Sequence, residues 1–256
     1  MILVTGSSGF IGSHLMKALG KRAIGYDLKD NKIKNHNILD YQRLINFIVD
    51  NKVKIIIHLA AISNHQEVDK DPIRAIETNL IGTYNVLRAA KESHVKKVIL
   101  ASSAAAAQPE FSLYGTTKNS IESFSKLFNN VIIARFYNVY GPGSKSVVNK
   151  FIKNISDGKP IYLNGNTLRD YVYVDDVVKT LIKITKSKSS KLIDIGYGKS
   201  YTLKELVSII EKEIGKRATI IQKQALHEIQ QSQMHQTYHT SGLIALEKGI
   251  KKLISN

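Results

Sequence analysis

Ile2-Leu3-Val4-Thr5-Gly6-Ser7-Ser8-Gly9-Phe10-Ile11-Gly12-Ser13-His14 is the stretch that decides the fold. Its apolar, β-branched start reads as a buried strand. The strand runs without a gap into a glycine-rich turn, and a helical pattern follows through Ala18 and Leu19. Strand, glycine turn and helix start together form a dinucleotide fingerprint. In that reading Gly6 permits the tight turn, Gly9 lets the backbone approach a pyrophosphate, and Gly12 lets helix and strand pack closely. The unpaired N–H groups of the helix N-terminus would then face phosphates. An ordinary strand-to-helix turn is the plainer alternative, and the surrounding context favours nucleotide binding over it.

Ala23-Ile24-Gly25-Tyr26-Asp27 reads as the second strand, ending in an acid about 20 residues beyond the glycine turn. A carboxylate there accepts the ribose hydroxyls of an adenosine and repels a 2′-phosphate, so NAD is expected rather than NADP. Tyr41 to Asn51 reads as an amphipathic helix. Lys54 to Ala61 reads as a buried strand ending in small residues, with His58 as a packed core histidine. Val98-Ile99-Leu100-Ala101 is the next strand and leads to Ser102-Ser103.

The chemistry enters at Tyr114-Gly115-Thr116-Thr117-Lys118. Residues four apart on a helix share a face, so the phenol and the ammonium point the same way. A lysine beside a phenol favours phenolate and is expected to lower its pKa from near 10 toward working pH. As a bare pattern Tyr-x-x-x-Lys is weak. Placed after Ser103 and behind a complete nucleotide-binding half, it is strong.

At 256 residues the chain can bury a substantial core. No apolar run approaches the roughly 18–20 residues of a membrane span. A first strand at residue 2 leaves no room for a signal or transit peptide, and there are no cysteines to form disulfides. A cytoplasmic enzyme fits these features. The net charge of +16 comes from 37 basic and 21 acidic residues. Those lysines are scattered, with no zinc-finger spacing or RNA-binding aromatic signature. Most of them are read as solvated surface, and no nucleic-acid or membrane partner is expected. His227, His235 and His239 show no convincing ligand set, so no metal is expected.

Gly6 to Leu15 resembles the glycine turn of the extended short-chain dehydrogenase/reductase family, which comprises NAD-dependent nucleotide-sugar epimerases, dehydratases and reductases. Asn79-Leu80-Ile81-Gly82-Thr83 resembles the family's Asn-x-x-Gly-Thr segment. Val131 to Gly143 resembles its crossing point into the substrate region. Gly165 to Val177 is the most specific match, and the similarity to UDP-glucose 4-epimerase-like members extends to about residue 215. The resemblance implies NAD held by Gly6, Gly9, Phe10, Ile11, Gly12, Asp27, Asn37, Ile38, Leu59, Ala60, Ala61, Asn79, Tyr114, Lys118 and Tyr137. It implies catalysis by Ser103, Tyr114 and Lys118. A nucleotide-diphosphate sugar would meet Ser103, Tyr114, Asn138 and Arg169, the last on the diphosphate through its bidentate fork. Asp175 and Asp176 are read as helix caps. A homodimer is expected.

Strands alternating with helices through residue 135 imply an α/β chain with a doubly wound parallel sheet, the Rossmann fold. The expected division is a nucleotide-binding domain over 1–142, to which strand 192–197 returns, and a small substrate-binding lobe from 143–191 and 198–256. Further expectations are a short strand at 159–163, a helix from Thr202 to Ile214 opened by a Thr202/Glu205 capping box, and an edge strand at 218–221. A loop over 222–241 and a closing helix from about Leu243 complete the chain.

Three activities compete. A dehydratase needs an acid and a base just after Ser103, where this chain has Ala104-Ala105, and alanine transfers no proton. A 4-epimerase needs Ser103, Tyr114, Lys118 and NAD, and acts through a 4-keto intermediate; all three residues are present. A one-way nucleotide-sugar reductase or dehydrogenase and a non-catalytic NAD-binding sensor or scaffold are the alternatives. Two departures from the family wording bear on substrate. Ala106-Ala107-Gln108 replaces Val-Tyr-Gly ahead of a shortened segment, and glutamines near 228–231 stand where an arginine is common.

Overall fold

The computed structural model describes residues 1–29, 36–165, 168–187, 192–223 and 242–255. Two compact units emerge, one of Met1–Arg135 with Val178–Ile193, the other of Phe136–Val177 with Asp194–Asn256.

The first unit opens with β1 (Ile2–Thr5), α1 (Phe10–Leu19), β2 (Ala23–Tyr26), α2 (Tyr41–Asp50) and β3 (Ile55–His58). A helical run follows: α3 (His65–Lys70), α4 (Pro72–Ile76), a π-helical turn at Glu77–Ile81 and α5 (Gly82–Glu92). Then come β4 (Lys97–Ser103), 3₁₀ turns at Ala104–Ala107 and Pro109–Phe111, α6 (Leu113–Ser125) and β5 (Val131–Phe136). The second unit contains β6 (Asn138–Tyr140), α7 (Val147–Ser156), β7 (Ile161–Asn164) and β8 (Arg169–Tyr173). The chain continues through α8 (Val174–Lys186), β9 (Leu192–Ile195), β10 (Ser200–Tyr201), α9 (Leu203–Ile214), β11 (Ile220–Lys223) and α10 (Leu246–Ile254).

The main sheet has six strands in the order β2-β1-β3-β4-β5-β9. β1 pairs in parallel with β2 on one side and β3 on the other, so the winding direction reverses between β1 and β3. In doubly wound sheets such a reversal opens a crevice at the carboxyl ends of the strands. The sequence accounts for the layers. Ile2–Val4, Ile55–Ile57 and Val98–Leu100 are near-continuous apolar runs, as strands covered on both faces require. Leu3, Ile56, Val98 and Leu100 join Leu44 and Ile48 of α2, Val86 and Leu87 of α5 and Ile121 of α6 in one core. Each such fully buried aliphatic side chain contributes about 1.5–3 kcal/mol.

The second unit carries a three-stranded sheet, β10-β8-β6, and a two-stranded parallel one, β11-β7. Thr202 caps α9, and its N–H and hydroxyl both donate to Glu205 Oε2, completing the expected capping box. Gly215 ends that helix at φ 73°. Asp176 has a long-range role besides its place at a helix start. It lies in the first turn of α8, buried, and its Oδ2 accepts the Ile244 N–H at 2.7 Å, tying the segment before α10 to α8. The expected helix from Leu243 begins at Leu246, the 159–163 strand at Ile161, and the 218–221 strand is Ile220–Lys223. Residues 224–241, with the three histidines and the glutamines near 228–231, lie outside the described residues. Among the described residues no helix is long and apolar enough to cross a membrane.

Candidate active site

The site begins at the carboxyl end of β1. Gly6 sits at φ 69°, where a side chain is strained, and a Cβ there would stand 2.7 Å from Ala60 N. The turn after β1 and the segment after β3 are therefore in backbone contact at the reversal of the sheet. A Cβ on Gly12 would overlap the Gly6 carbonyl oxygen, so α1 packs onto the turn only because residue 12 is glycine. Gly9, Phe10 and Ile11 form the start of α1. Gly9 is the N-cap and is exposed; no side chain caps the helix and no acid occupies its first turn. That bare N-terminus fits a pyrophosphate, since its N–H groups and dipole favour an anion and no side chain competes. Asp27 follows β2 with its carboxylate against the turn, accepting Ser8 N–H at 3.0 Å and Lys29 N–H at 2.9 Å. These residues fit the nucleotide that the fingerprint requires, with the acid placed beside the phosphate-binding backbone.

The other proposed nucleotide contacts divide. Leu59, Ala60 and Ala61 are half-buried at the end of β3, next to Gly6. Asn37 commits its Oδ1 to Leu39 N–H, and Ile38 is core, filling the space that Gly82 leaves open on α5. Asn79 is buried in the π turn with both amide atoms engaged: Oδ1 accepts Ile62 N–H at 2.8 Å and Nδ2 donates to Ile62 O at 3.0 Å and Thr117 Oγ1 at 3.3 Å. Asn79 thus acts on the site by pinning the segment after β3 to α6. His58 is the packed histidine the sequence implied. Its ring links Thr5 Oγ1 (2.6 Å) and Thr83 Oγ1 (2.9 Å), and burial, with nearby Lys118, pushes its pKa down to about 3.

Ser103, Tyr114 and Lys118 come together at the end of β4 and the start of α6. Ser112 caps α6 by accepting Gly115 N–H at 3.0 Å. Gly115 brings the helix against the 104–107 turn, where a Cβ would stand 2.7 Å from Ala105 O. Asn119 Nδ2 donates to Ala106 O at 2.9 Å. The shortened segment after Ser103 is therefore a built clamp of two 3₁₀ turns on α6. Ser103 Oγ accepts Ala105 N–H at 3.2 Å and bonds the Tyr114 phenol, which favours phenolate. One sequence expectation fails here. Tyr114 is pushed up to about 12, not down, because burial dominates and only Ser103 opposes it. Lys118 Nζ lies 5.8 Å from the Tyr114 ring centre and donates instead to Ala101 O at 3.0 Å. Burial holds Lys118 down at about 8, with Glu122 pulling the other way.

Two features beside this trio were missed from sequence. His65, at the start of α3, lies edge-on to Tyr114 with ring centres 5.2 Å apart. Glu122 and Arg135 form a bidentate pair behind Lys118, Nε to Oε1 at 2.7 Å and Nη2 to Oε2 at 2.6 Å, and Ser102 Oγ donates to Oε1 at 2.6 Å. The spacing Tyr114-Lys118-Glu122, with four residues at each step along one helix face, was the available signal.

In the second unit, Asn138 opens β6 and its Nδ2 donates to Asp170 O at 3.0 Å. Tyr137 is buried, its N–H on Ile195 O at 3.2 Å. Arg169 is half-buried at the first position of β8. The next residue, Asp170, accepts Tyr197 and Gly198 N–H at 2.7 and 2.6 Å, which fixes the strand that carries Arg169.

Comparison with known proteins agrees with this architecture. A candidate UDP-glucose 4-epimerase of Methanocaldococcus jannaschii is 32% identical over 86% of this chain and 85% of its own length. The UDP-glucuronate 4-epimerase of Thermodesulfobacterium geofontis is 29% identical over 84% of this chain and 81% of its own. The crystal structure of Thermotoga maritima UDP-glucose 4-epimerase with UDP-glucose superposes with a TM-score of 0.86 at 25% identity, over 99% of this chain and 97% of that one. The model of the NAD dependent epimerase/dehydratase family matches residues 2–196. A glycine turn at the sheet reversal, an acid after β2 and a serine–tyrosine–lysine group on β4 and α6 thus belong to a member of the NAD dependent epimerase/dehydratase family, whose cofactor is NAD.

Proposed function

We propose that the protein interconverts a nucleotide-diphosphate sugar and its C4 epimer. The observation that carries the reading is the Ser103–Tyr114–Lys118 group followed by Ala104 and Ala105, a proton-transfer centre without the acid and base an eliminating enzyme needs. The relatives with 4-epimerase names support the substrate class.

In this mechanism Tyr114 takes the proton of the sugar's 4-hydroxyl, and Ser103, aimed by Ala105 N–H, holds the same oxygen. NAD, when bound, supplies a reversible oxidation at C4. Tyr114, which burial holds up at about 12 against the Ser103 hydrogen bond, would be brought down by a positive charge of the bound nicotinamide. Lys118 binds the nicotinamide ribose. Asp27 accepts the adenosine ribose hydroxyls and repels a 2′-phosphate, which selects NAD over NADP. Arg169 grips the diphosphate, Asn138 contacts the sugar or phosphate, and the buried Tyr137 stands against the nicotinamide. After the 4-keto sugar turns over, the hydride taken from C4 would return to the opposite face of that carbon while Tyr114 gives its proton back to the C4 oxygen, giving the epimer.

The test is incubation with UDP-, dTDP-, GDP- and CDP-sugars, with products separated by chromatography. The wild-type protein is expected to form a 4-epimer from at least one, and Tyr114→Phe to lose at least about 100-fold in rate with NAD binding kept. A Tyr114→Phe protein with near-normal turnover would exclude Tyr114 as the base. No product from any sugar, with NAD bound, would favour a sensor or scaffold.

A further inference from the structure

Lys118 is only 4% exposed, and its one hydrogen bond is to a neutral carbonyl, Ala101 O. An ammonium so placed loses its hydration without an ionic partner in contact. One turn further along the same face of α6 stands Glu122, itself 5% exposed. Its carboxylate receives three donors, two from Arg135 and one from Ser102, all at 2.6–2.7 Å. The carboxylate is thus the negative half of a buried ion pair with Arg135, whose contact is 2.6 Å. Among the described residues, the other titratable groups against Lys118 carry no negative charge. Tyr114 on α6 is a neutral phenol, and His58 on β3 is neutral at physiological pH. Every charged residue of the packed α3–α5 run, Glu67, Asp69, Arg74 and Glu77 among them, is exposed.

Resting on the reading of Lys118 as the ribose-binding partner of Tyr114, we propose that Glu122 is a positioning residue whose fixed negative charge keeps Lys118 protonated, with Arg135 and Ser102 holding that charge in place. The site is then a line of functional groups through the protein interior, Tyr114, Lys118, Glu122 and Arg135. β5 enters the chemistry through Arg135.

The test needs no substrate. NAD affinity of the nucleotide-stripped protein is measured by calorimetry from pH 6 to pH 10. In the wild type, binding is expected to weaken above about pH 8, where Lys118 loses its proton. Glu122→Gln should move that break down by about one pH unit, so that NAD binds up to about tenfold more weakly between the two breaks, with affinity unchanged at low pH. Glu122→Asp, which keeps the charge, should restore most of the break. Should Glu122→Gln fail to fold once Arg135 loses that carboxylate, Glu122→Met/Arg135→Met removes both charges and should show a smaller shift in the same direction. A folded variant without Glu122 whose break stays at the wild-type pH would overturn the proposal. Lys118→Met separates the two levels: if it keeps the break, the reading of Lys118 fails, and with it the premise.

Discussion

Lys118 shows what a functional residue costs its own fold. Burial lowers it from 10.5 to about 8, which at neutral pH corresponds to about 3 kcal/mol of destabilisation relative to an uncharged side chain. Lys118→Met is therefore expected to raise the melting temperature while weakening NAD binding; a lower melting temperature would contradict the assignment of strain to this ammonium. His58 gives the opposite pH lever. Its folded pKa of about 3 lies below the ordinary 6.5, so the unfolded chain binds one more proton between those values. The resulting stability is complete above about pH 6.5 and drains as pH falls toward 3, by up to about 1.4 kcal/mol per unit. Urea unfolding at pH 7 and pH 4.5 should show a smaller loss in His58→Gln than in the wild type, and equal losses would remove His58 from the account. The sequence located both residues and misjudged one effect. Tyr-x-x-x-Lys gives a shared face, but whether the lysine lowers the phenol depends on where its ammonium donates. That is set by Ala101, 17 positions away in sequence.

At the scale of elements, the π turn at 77–81 within the 72–92 helical run is the least expected feature. π turns recur at functional sites, and this one carries Asn79, which fastens the segment after β3. Asn79→Ala leaves Ile62 N–H and C=O without that partner and should cost about 1–3 kcal/mol. It should weaken NAD binding by releasing residues 60–62 while leaving Tyr114 in place. Unchanged NAD affinity would make Asn79 a purely structural clamp. Periodicity cannot register one extra residue per turn, so this irregularity leaves no mark in the sequence. The short β6 and β10 were likewise hidden, because three- and two-residue strands are defined by their pairing with β8 and carry too few residues for a pattern. Local chemistry was legible. The Thr202/Glu205 box sits where its spacing places it, because both partners lie within one turn. The tie from Asp176 to Ile244 was hidden for the converse reason, since the two are 68 residues apart.

At the scale of the molecule, the doubly wound sheet was readable from β1 onward because each buried strand announces itself as an apolar run bounded by turn residues. The return of residues 192–195 to its edge was also foreseen and is the position of β9. The reversal between β1 and β3 puts the glycine turn, read from one stretch of 13 residues, against Ala60. The choice among activities rests on something narrower, whether the group taken from C4 goes back to C4. A nucleotide sugar carrying deuterium at C4 tests that directly. Epimerisation with NAD recycled in place predicts a C4 epimer that retains the deuterium, with no net change in nicotinamide absorbance over many turnovers. Deuterium lost to solvent, or reduced nicotinamide accumulating in step with product, would contradict the account.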